Sequence, residues 1–183
     1  KMREIRIEKL TLNMGAGEAG NKLEKYTMLL NKITGKKPIQ RISNKRIPTW
    51  QVRPGLAIGT KVTIRGKAAE ELLKRLLTAV DNNLKPKSFD DQGNISFGIP
   101  EYIDIPGMEY IVEIGIVVLE VAVTLERAGF RIKKRKFNIK KIPIKHRITS
   151  EEAQEFMRTK YNAKIGEEEE KWPHLIIKKH IRN

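Results

Sequence analysis

From residue 5 to residue 14 the chain alternates. Leu10, Leu12 and Met14 fall on one side of an extended backbone, and Thr11 and Asn13 on the other. A period of two predicts a strand with one face in a core and the other outside it. After a glycine-rich turn at 15–20, Leu23, Tyr26, Leu30 and Ile33 recur three or four residues apart, the spacing of an amphipathic helix. Gly35 and Pro38 stop that helix. Residues 39–42 read as a short strand. Leu56, Ile58, Val62 and Ile64 then alternate against Lys61, Thr63 and Arg65, which predicts a longer strand with a polar, basic outer face. Ala69, Leu72, Leu73, Leu76 and Val80 mark a second amphipathic helix. Turn-forming residues fill 81–94, and Ile95, Phe97 and Ile99 alternate as a strand. Residues 102–105 are expected to add another strand, and the Val/Ile-rich run 114–125 a buried central one.

Two segments have no such period. Residues 43–55 hold two prolines, a glycine, three cations and Trp50, and read as a long loop, a feature that in compact domains usually carries function. Residues 127–148 are basic throughout, with Phe130, Ile132, Phe137, Ile139, Ile142 and Ile144 interspersed. Thr149 with Glu152 then forms a capping box that opens a helix over about 150–161. The element order predicts an α+β fold: a mainly antiparallel sheet with helices on one face. Residues 1–130 are expected to form a single domain, and 131–183 a basic extension of it rather than a second domain. The uncovered sheet face would present Asn13, Lys61, Thr63 and Arg65, side chains suited to an RNA platform.

Charge sharpens that expectation. The 183 residues carry 37 Lys+Arg against 22 Asp+Glu, a formal net charge of +15. The excess is segregated: net +11 over 1–66, −6 over 67–126, +10 over 127–148 and zero over 149–183. Two basic blocks flanking an acidic one fit a protein with a polyanion-facing side, and the acidic stretch is the candidate for a surface turned away from it. With no cysteine, disulfide scaffolds, thiol catalysis and Cys-ligated zinc are excluded. No apolar run is long enough for a transmembrane helix, and the composition suits a cytoplasmic protein.

Candidate chemistry is sparse. Gly15, Gly17 and Gly20 spell G-x-G-x-x-G between a strand and a helix, the form of a dinucleotide fingerprint. The acidic residue that should follow some twenty positions later is missing, because 36–41 contains no acid. A turn allowing close backbone approach is the better reading. His146, His174 and His180 lie too far apart for a metal site and read as surface or RNA-adjacent residues. Without a nucleophile–base pair or a phosphate loop, the chain is expected to be no enzyme and to need no cofactor or metal. Trp50, between Arg46 and Arg53, suits either a cap on the core or a stacking platform for a base. The basic segment suits either a disordered tail or an anchored one lying along phosphates, and its regular apolar residues favour the second.

Four stretches together carry a resemblance: 11–19 (TLNMGAGEA), 34–39 (TGKKPI), 53–66 (RPGLAIGTKVTIRG) and 88–98 (SFDDQGNISFG). In this order they resemble the universal large-subunit ribosomal protein five family, the 5S rRNA binders of the central protuberance. The basic 130–150 segment and the helix after it are similar to the archaeal and eukaryotic branch, whose eukaryotic member is ribosomal protein eleven, and an archaeal source is expected. The resemblance implies an RNA-recognition-like sheet whose open face holds 5S rRNA through Asn13, Lys36, Trp50, Thr63 and Arg65, with Lys61 beside them. Lys36 and Trp50 stand where bacterial relatives commonly have Gln and Phe. The loop residues Arg46, Ile47, Pro48, Thr49, Gln51, Val52, Arg53, Pro54 and Gly55 resemble the element that reaches P-site tRNA. The basic tail (Arg131, Lys133, Lys134, Arg135, Lys136, Lys140, Lys141, Lys145 and Arg147) is expected to contact rRNA. Further implied partners are 23S rRNA, other central-protuberance proteins and small-subunit ribosomal protein thirteen at an intersubunit bridge.

Overall fold

The computed structural model describes residues 2–17 and 20–166. The acidic run 167–170, His174, His180 and the rest of the terminus lie outside the described residues. In chain order the elements are β1 (Ile5–Gly15), α1 (Asn21–Thr34), β2 (Ile39–Ile42), β3 (Ala57–Ile64), α2 (Lys67–Thr78), β4 (Asn83–Leu84), β5 (Ile95–Ile99), β6 (Leu119–Arg127), α3 (Ser150–Tyr161) and β7 (Lys164–Ile165). Among the described residues, five strands make one sheet in the order β2-β3-β1-β6-β5, and every neighbouring pair is antiparallel. Setting β5 aside, β2-β3-β1-β6 with helices after β1 and β3 is the split β-α-β-β-α-β arrangement.

Alternation dictates the layers. Leu10, Leu12 and Met14 of β1, Val62 and Ile64 of β3, and Leu119, Val121, Val123 and Leu125 of β6 all point to one side and are buried. Helix α1 covers them with Leu23, Tyr26, Leu29, Leu30 and Ile33, and α2 with Ala69, Leu72, Leu73, Leu76 and Leu77. Each fully buried Leu, Ile or Val is worth about 1.5–3 kcal/mol of burial. Among the described residues, no helix covers the other face. Ala122 of the internal strand β6 is exposed, as are Ser96 and Gly98 of β5, while Thr11, Asn13, Lys61 and Thr63 are half-exposed. Gly35 ends α1 in the left-handed conformation at φ 64°, with its N–H donating to the Asn31 carbonyl.

Two expected strand assignments are corrected. Residues 102–105 do not extend the sheet. Tyr102–Asp104 is a 3-10 turn, with Tyr102 buried and its hydroxyl accepting a hydrogen bond from the Ile111 N–H at 2.9 Å. Pro100 and Pro106 bracket this stretch and supply no ladder donors. The run 114–125 is a strand only from Leu119. Before it, Gly115 has φ 72° and its N–H turns back to the Ile111 carbonyl, leaving Ile116 and Val118 exposed. The partner strand sets that start, because Ile99, the last residue of β5, pairs with Leu119.

The basic segment is anchored. Phe130, Ile142 and Ile148 join the core, followed by Ala153, Met157 and Tyr161 of α3. The expected capping box forms: Thr149 accepts from the Glu152 N–H and the Glu152 carboxylate accepts from the Thr149 N–H. Arg127, at the end of β6, is only 5% exposed. Its guanidinium pairs with Glu152 at 2.8 Å and donates to the Arg147 carbonyl at 2.9 Å, tying strand, segment and helix together. His146 is a structural residue rather than a surface one: its Nε2 lies 2.9 Å from the Ala128 carbonyl and its ring meets the Phe130 ring edge-on. Short strands β4 and β7 pair in parallel beyond α3. Tyr161, at the end of α3, meets the Phe156 ring edge-on with its hydroxyl buried, and burial pushes that group up to about 12.

Gly93 shows how tightly this docking is set. It has φ +74°, and a Cβ built there would stand 2.5 Å from the Ile148 side chain. Gly93→Ala is therefore expected to destabilise the fold by about 1–3 kcal/mol through overpacking and backbone strain. Gly98→Ala, on the open face with nothing within 4 Å, should stay within about 1 kcal/mol of wild type, and urea titration of the two variants measures both effects.

The Arg127 hydrogen bond to the Glu152 carboxylate is the main reason that group is held below its ordinary 4.5. A lowered native value means that the ionised carboxylate stabilises the fold at neutral pH and ceases to do so as pH falls below 4.5. Urea midpoints of wild type and Glu152→Gln should differ at pH 7 and converge in acid. A gap independent of pH would show that the ionised form contributes nothing.

Candidate nucleic-acid interface

The register of β1 against β3 places Asn13 opposite Lys61 and Thr11 opposite Thr63. These four side chains share the uncovered face, because their neighbours Leu12, Val62 and Ile64 point into the core. Arg65 follows directly after β3 and is exposed, which continues the alternation of Lys61 and Thr63. The edge strand β2 extends the same face with Ile39 opposite Lys61 and with Arg41, both exposed. Lys36 lies in the connection from α1 to β2, exposed, with its backbone held by the Thr34 hydroxyl. Three of the sequence-derived residues, Asn13, Lys61 and Thr63, are thus brought into register, Arg65 continues their line, and Lys36 stands off the strands.

The face also holds acids. Glu120 of β6 pairs with Asn13 across the ladder, and the Asn13 Nδ2 donates to its carboxylate at 2.7 Å. Arg6 forms an ion pair with Glu126 at 2.7 Å one strand-end away. The acidic stretch 67–126 is therefore not wholly turned from this surface, a correction to the charge-block reading. Segment totals do not resolve the alternation that puts Glu120 and Glu126 outside while Val121 and Leu125 go inside. Glu120 and Arg41 are the residues that sequence reasoning missed. Extending the period-two pattern through the short strand β2 and through β6 would have found both.

The 43–55 loop is a prolongation of the β2–β3 hairpin. Ser43 and Leu56 are joined by a backbone hydrogen bond of 2.8 Å, Gly55 donates to the Ser43 carbonyl, and Ile47 and Val52 bridge further out. Pro48–Trp50 forms a 3-10 turn at the tip, and Gln51 caps it in the left-handed conformation. Trp50 is 71% exposed, so it does not cap the core. Arg46, Pro48, Thr49, Arg53 and Pro54 are exposed, but Val52 is buried and Ile47 half-buried. These last two pack inside the loop and anchor it. The exposure of Trp50 predicts that Trp50→Ala leaves the unfolding free energy, measured by urea titration, within about 0.5 kcal/mol of wild type.

The basic segment contains 3-10 turns at Phe130–Lys133 and Ile144–His146. Some of its cations are engaged within the chain. Lys134 pairs with Glu8, the Nε and Nη2 of Arg135 both donate to the Asn138 carbonyl, and Lys133 and Lys136 lie 5.5 Å from the Phe130 and Phe137 rings. Arg131, Lys140, Lys141 and Lys145 are exposed, and Arg147 spends its Nε on the Ile142 carbonyl. Phe137, Ile139 and Ile144 are exposed rather than anchoring.

The glycine-rich turn does not build a dinucleotide site. β1 has antiparallel neighbours on both sides, and the Ala16 and Gly17 N–H groups donate to the Ile58 carbonyl. Among the described residues, no group of three or more His, Asp or Glu could hold a metal ion, and no helix is long and apolar enough to cross a membrane.

Residues 1–53 match the family described as Ribosomal protein L5, and residues 57–156 match the C-terminal region of the same ribosomal family. Among curated proteins, the chain is 48% identical over 167 residues to the large ribosomal subunit protein uL5 of Sulfurisphaera tokodaii, covering 91% of this chain and 94% of that one. It is 51% identical over 152 residues to the protein of the same name from Nanoarchaeum equitans (82% and 89% covered), and 42% identical over 161 residues to that of Methanobrevibacter smithii (88% and 95%). Both halves of the sheet and the basic segment fall inside these matches, and the chain belongs to the ribosomal protein L5 family.

Proposed function

We propose that this protein attaches 5S rRNA within the large ribosomal subunit through the uncovered face of its sheet. It is a structural constituent of that subunit, of the archaeal type, located in the ribosome in the cytoplasm, and not an enzyme. The observation that carries the finer reading is the open face itself: Lys61 and Thr63 on β3, Thr11 and Asn13 on β1, and Arg65 at the strand end, with none of the described helices over them. A shallow, hydrogen-bonding, partly cationic sheet face suits a folded RNA, where phosphate and 2′-OH contacts set position and a few base contacts set identity. Lys36 and the exposed Trp50 flank this surface, the first suited to a phosphate and the second to stacking.

The hairpin tip, with Arg46, Pro48, Thr49, Gln51, Arg53, Pro54 and Gly55 around Trp50, is our candidate for contact with P-site tRNA. The exposed cations Arg131, Lys133, Lys136, Lys140, Lys141, Lys145 and Arg147 are our candidates for 23S rRNA contacts, with Lys134 and Arg135 partly committed within the chain. Other central-protuberance proteins and small-subunit ribosomal protein thirteen complete the proposed partners. We read 131–166 as an extension of the 1–130 domain because Ile142, Ile148 and α3 share its core.

Filter binding of 5S rRNA across a salt series tests the site. Lys61→Ala combined with Arg65→Ala should weaken binding by about 1–2 kcal/mol per lost charged contact. The slope of log K against log salt should become shallower by about one for each phosphate contact removed. Wild-type affinity and slope in the double variant would defeat the assignment.

A further inference from the structure

A recess lies away from the open sheet face. A cavity of about 230 Å³ opens between the end of β6, the 90–94 turn and the basic segment. Its floor is apolar, made by Phe130, Ile142 and Ile148, all of them core residues. Its rim is cationic: Lys133, Lys141 and Arg147 line it, and no carboxylate does. Gln92 adds an exposed side-chain amide. The walls are rigid. Gly93 sits against Ile148, the 90–94 turn is locked by Asp90 accepting from the Gln92 N–H at 2.7 Å and the Asn94 amide at 2.8 Å, and the Arg147 Nε is fixed on the Ile142 carbonyl.

These features ask for a ligand with a flat apolar body, a polar edge and a negative charge. Three cations and no carboxylate along the lining favour an anionic group, and a phosphate alone would leave the apolar floor unused. The volume is below the roughly 300–1,000 Å³ of sites for larger organic ligands, so it suits one ring system. Bases that leave the stack in single-stranded RNA are recognised in this way, by an aromatic or apolar surface for the ring and hydrogen bonds for its edge. We infer that this recess takes one unstacked nucleotide of ribosomal RNA, its base against Phe130, Ile142 and Ile148, its edge toward Gln92 and its phosphate toward Lys133, Lys141 and Arg147. The inference rests on the RNA-binding reading of the protein but uses a different surface from the one assigned to 5S rRNA.

The test is a methyl- and amide-detected NMR titration of the full chain with each of the four nucleoside 5′-monophosphates, and with inorganic phosphate at equal ionic strength. The nucleotides should shift the Ile142 and Ile148 methyls by ring current, and inorganic phosphate should not. Lys141→Ala and Gln92→Ala, both at exposed positions, should each raise the half-saturating nucleotide concentration about threefold, the scale of one solvent-exposed polar contact. No methyl shift, or the same shifts with phosphate as with nucleotides, would overturn the inference. The Lys61→Ala, Arg65→Ala double variant separates the two surfaces. It should keep the full methyl response while losing 5S rRNA affinity, so failure of the sheet assignment and failure of the recess give different results.

Discussion

The register of β1 is the constraint on which the rest of the molecule depends. β1 is the middle strand of five, bonded on one side to β3 and on the other to β6. Sending Leu10, Leu12 and Met14 to the core sends Thr11 and Asn13 to the opposite face, and the two ladders impose the same choice on Lys61, Thr63, Glu120 and Ala122. A slip of one residue would exchange the faces completely. The apolar helices α1 and α2 can cover only one side. The same hydrophobic burial that stabilises the fold therefore also leaves a polar surface free for a partner.

Charge on that surface is divided along the strands. β2 and β3 contribute Arg41 and Lys61, while β6 contributes Glu120 and Glu126. The β6 acids are engaged within the chain, Glu126 with Arg6 and Glu120 with the Asn13 amide, while Arg41 and Lys61 give the β2–β3 side its positive charge. Asn13 lies on the boundary. With its amide nitrogen donated to Glu120, its free oxygen is an acceptor suited to a 2′-OH or a base amino group rather than to phosphate.

A buried cation performs the corresponding task at the other end of the sheet. Arg127 is at the last position of β6, faces the core, and is balanced by Glu152 and by backbone carbonyls of the basic segment. A buried guanidinium without such partners would cost several kcal/mol. The pairing thus obliges the chain from 128 to 152 to return against the sheet. Ten positive charges in 127–148 would otherwise repel one another, and it is Phe130, Ile142 and Ile148 that hold them in place. The result is a folded rim of cations rather than a loose tail.

The periodicity of the chain determined both helices of the sheet layer, the strands β1, β3 and β5, the capping box at Thr149 and the sidedness of Asn13, Lys61 and Thr63, because burial on one face writes itself directly into alternation. It could not determine where β6 begins, since 114–118 is as apolar as the strand itself, and only the length of the partner strand and the turn at Gly115 decide it. It also could not place Glu120 beside Asn13, residues 107 positions apart, or show that Val52 anchors a loop whose Trp50 stands in solvent. Local pattern records which face a side chain prefers. Which side chains from distant segments share that face, and which charges they meet there, is set by strand order and register, and these exist only once the chain has closed on itself.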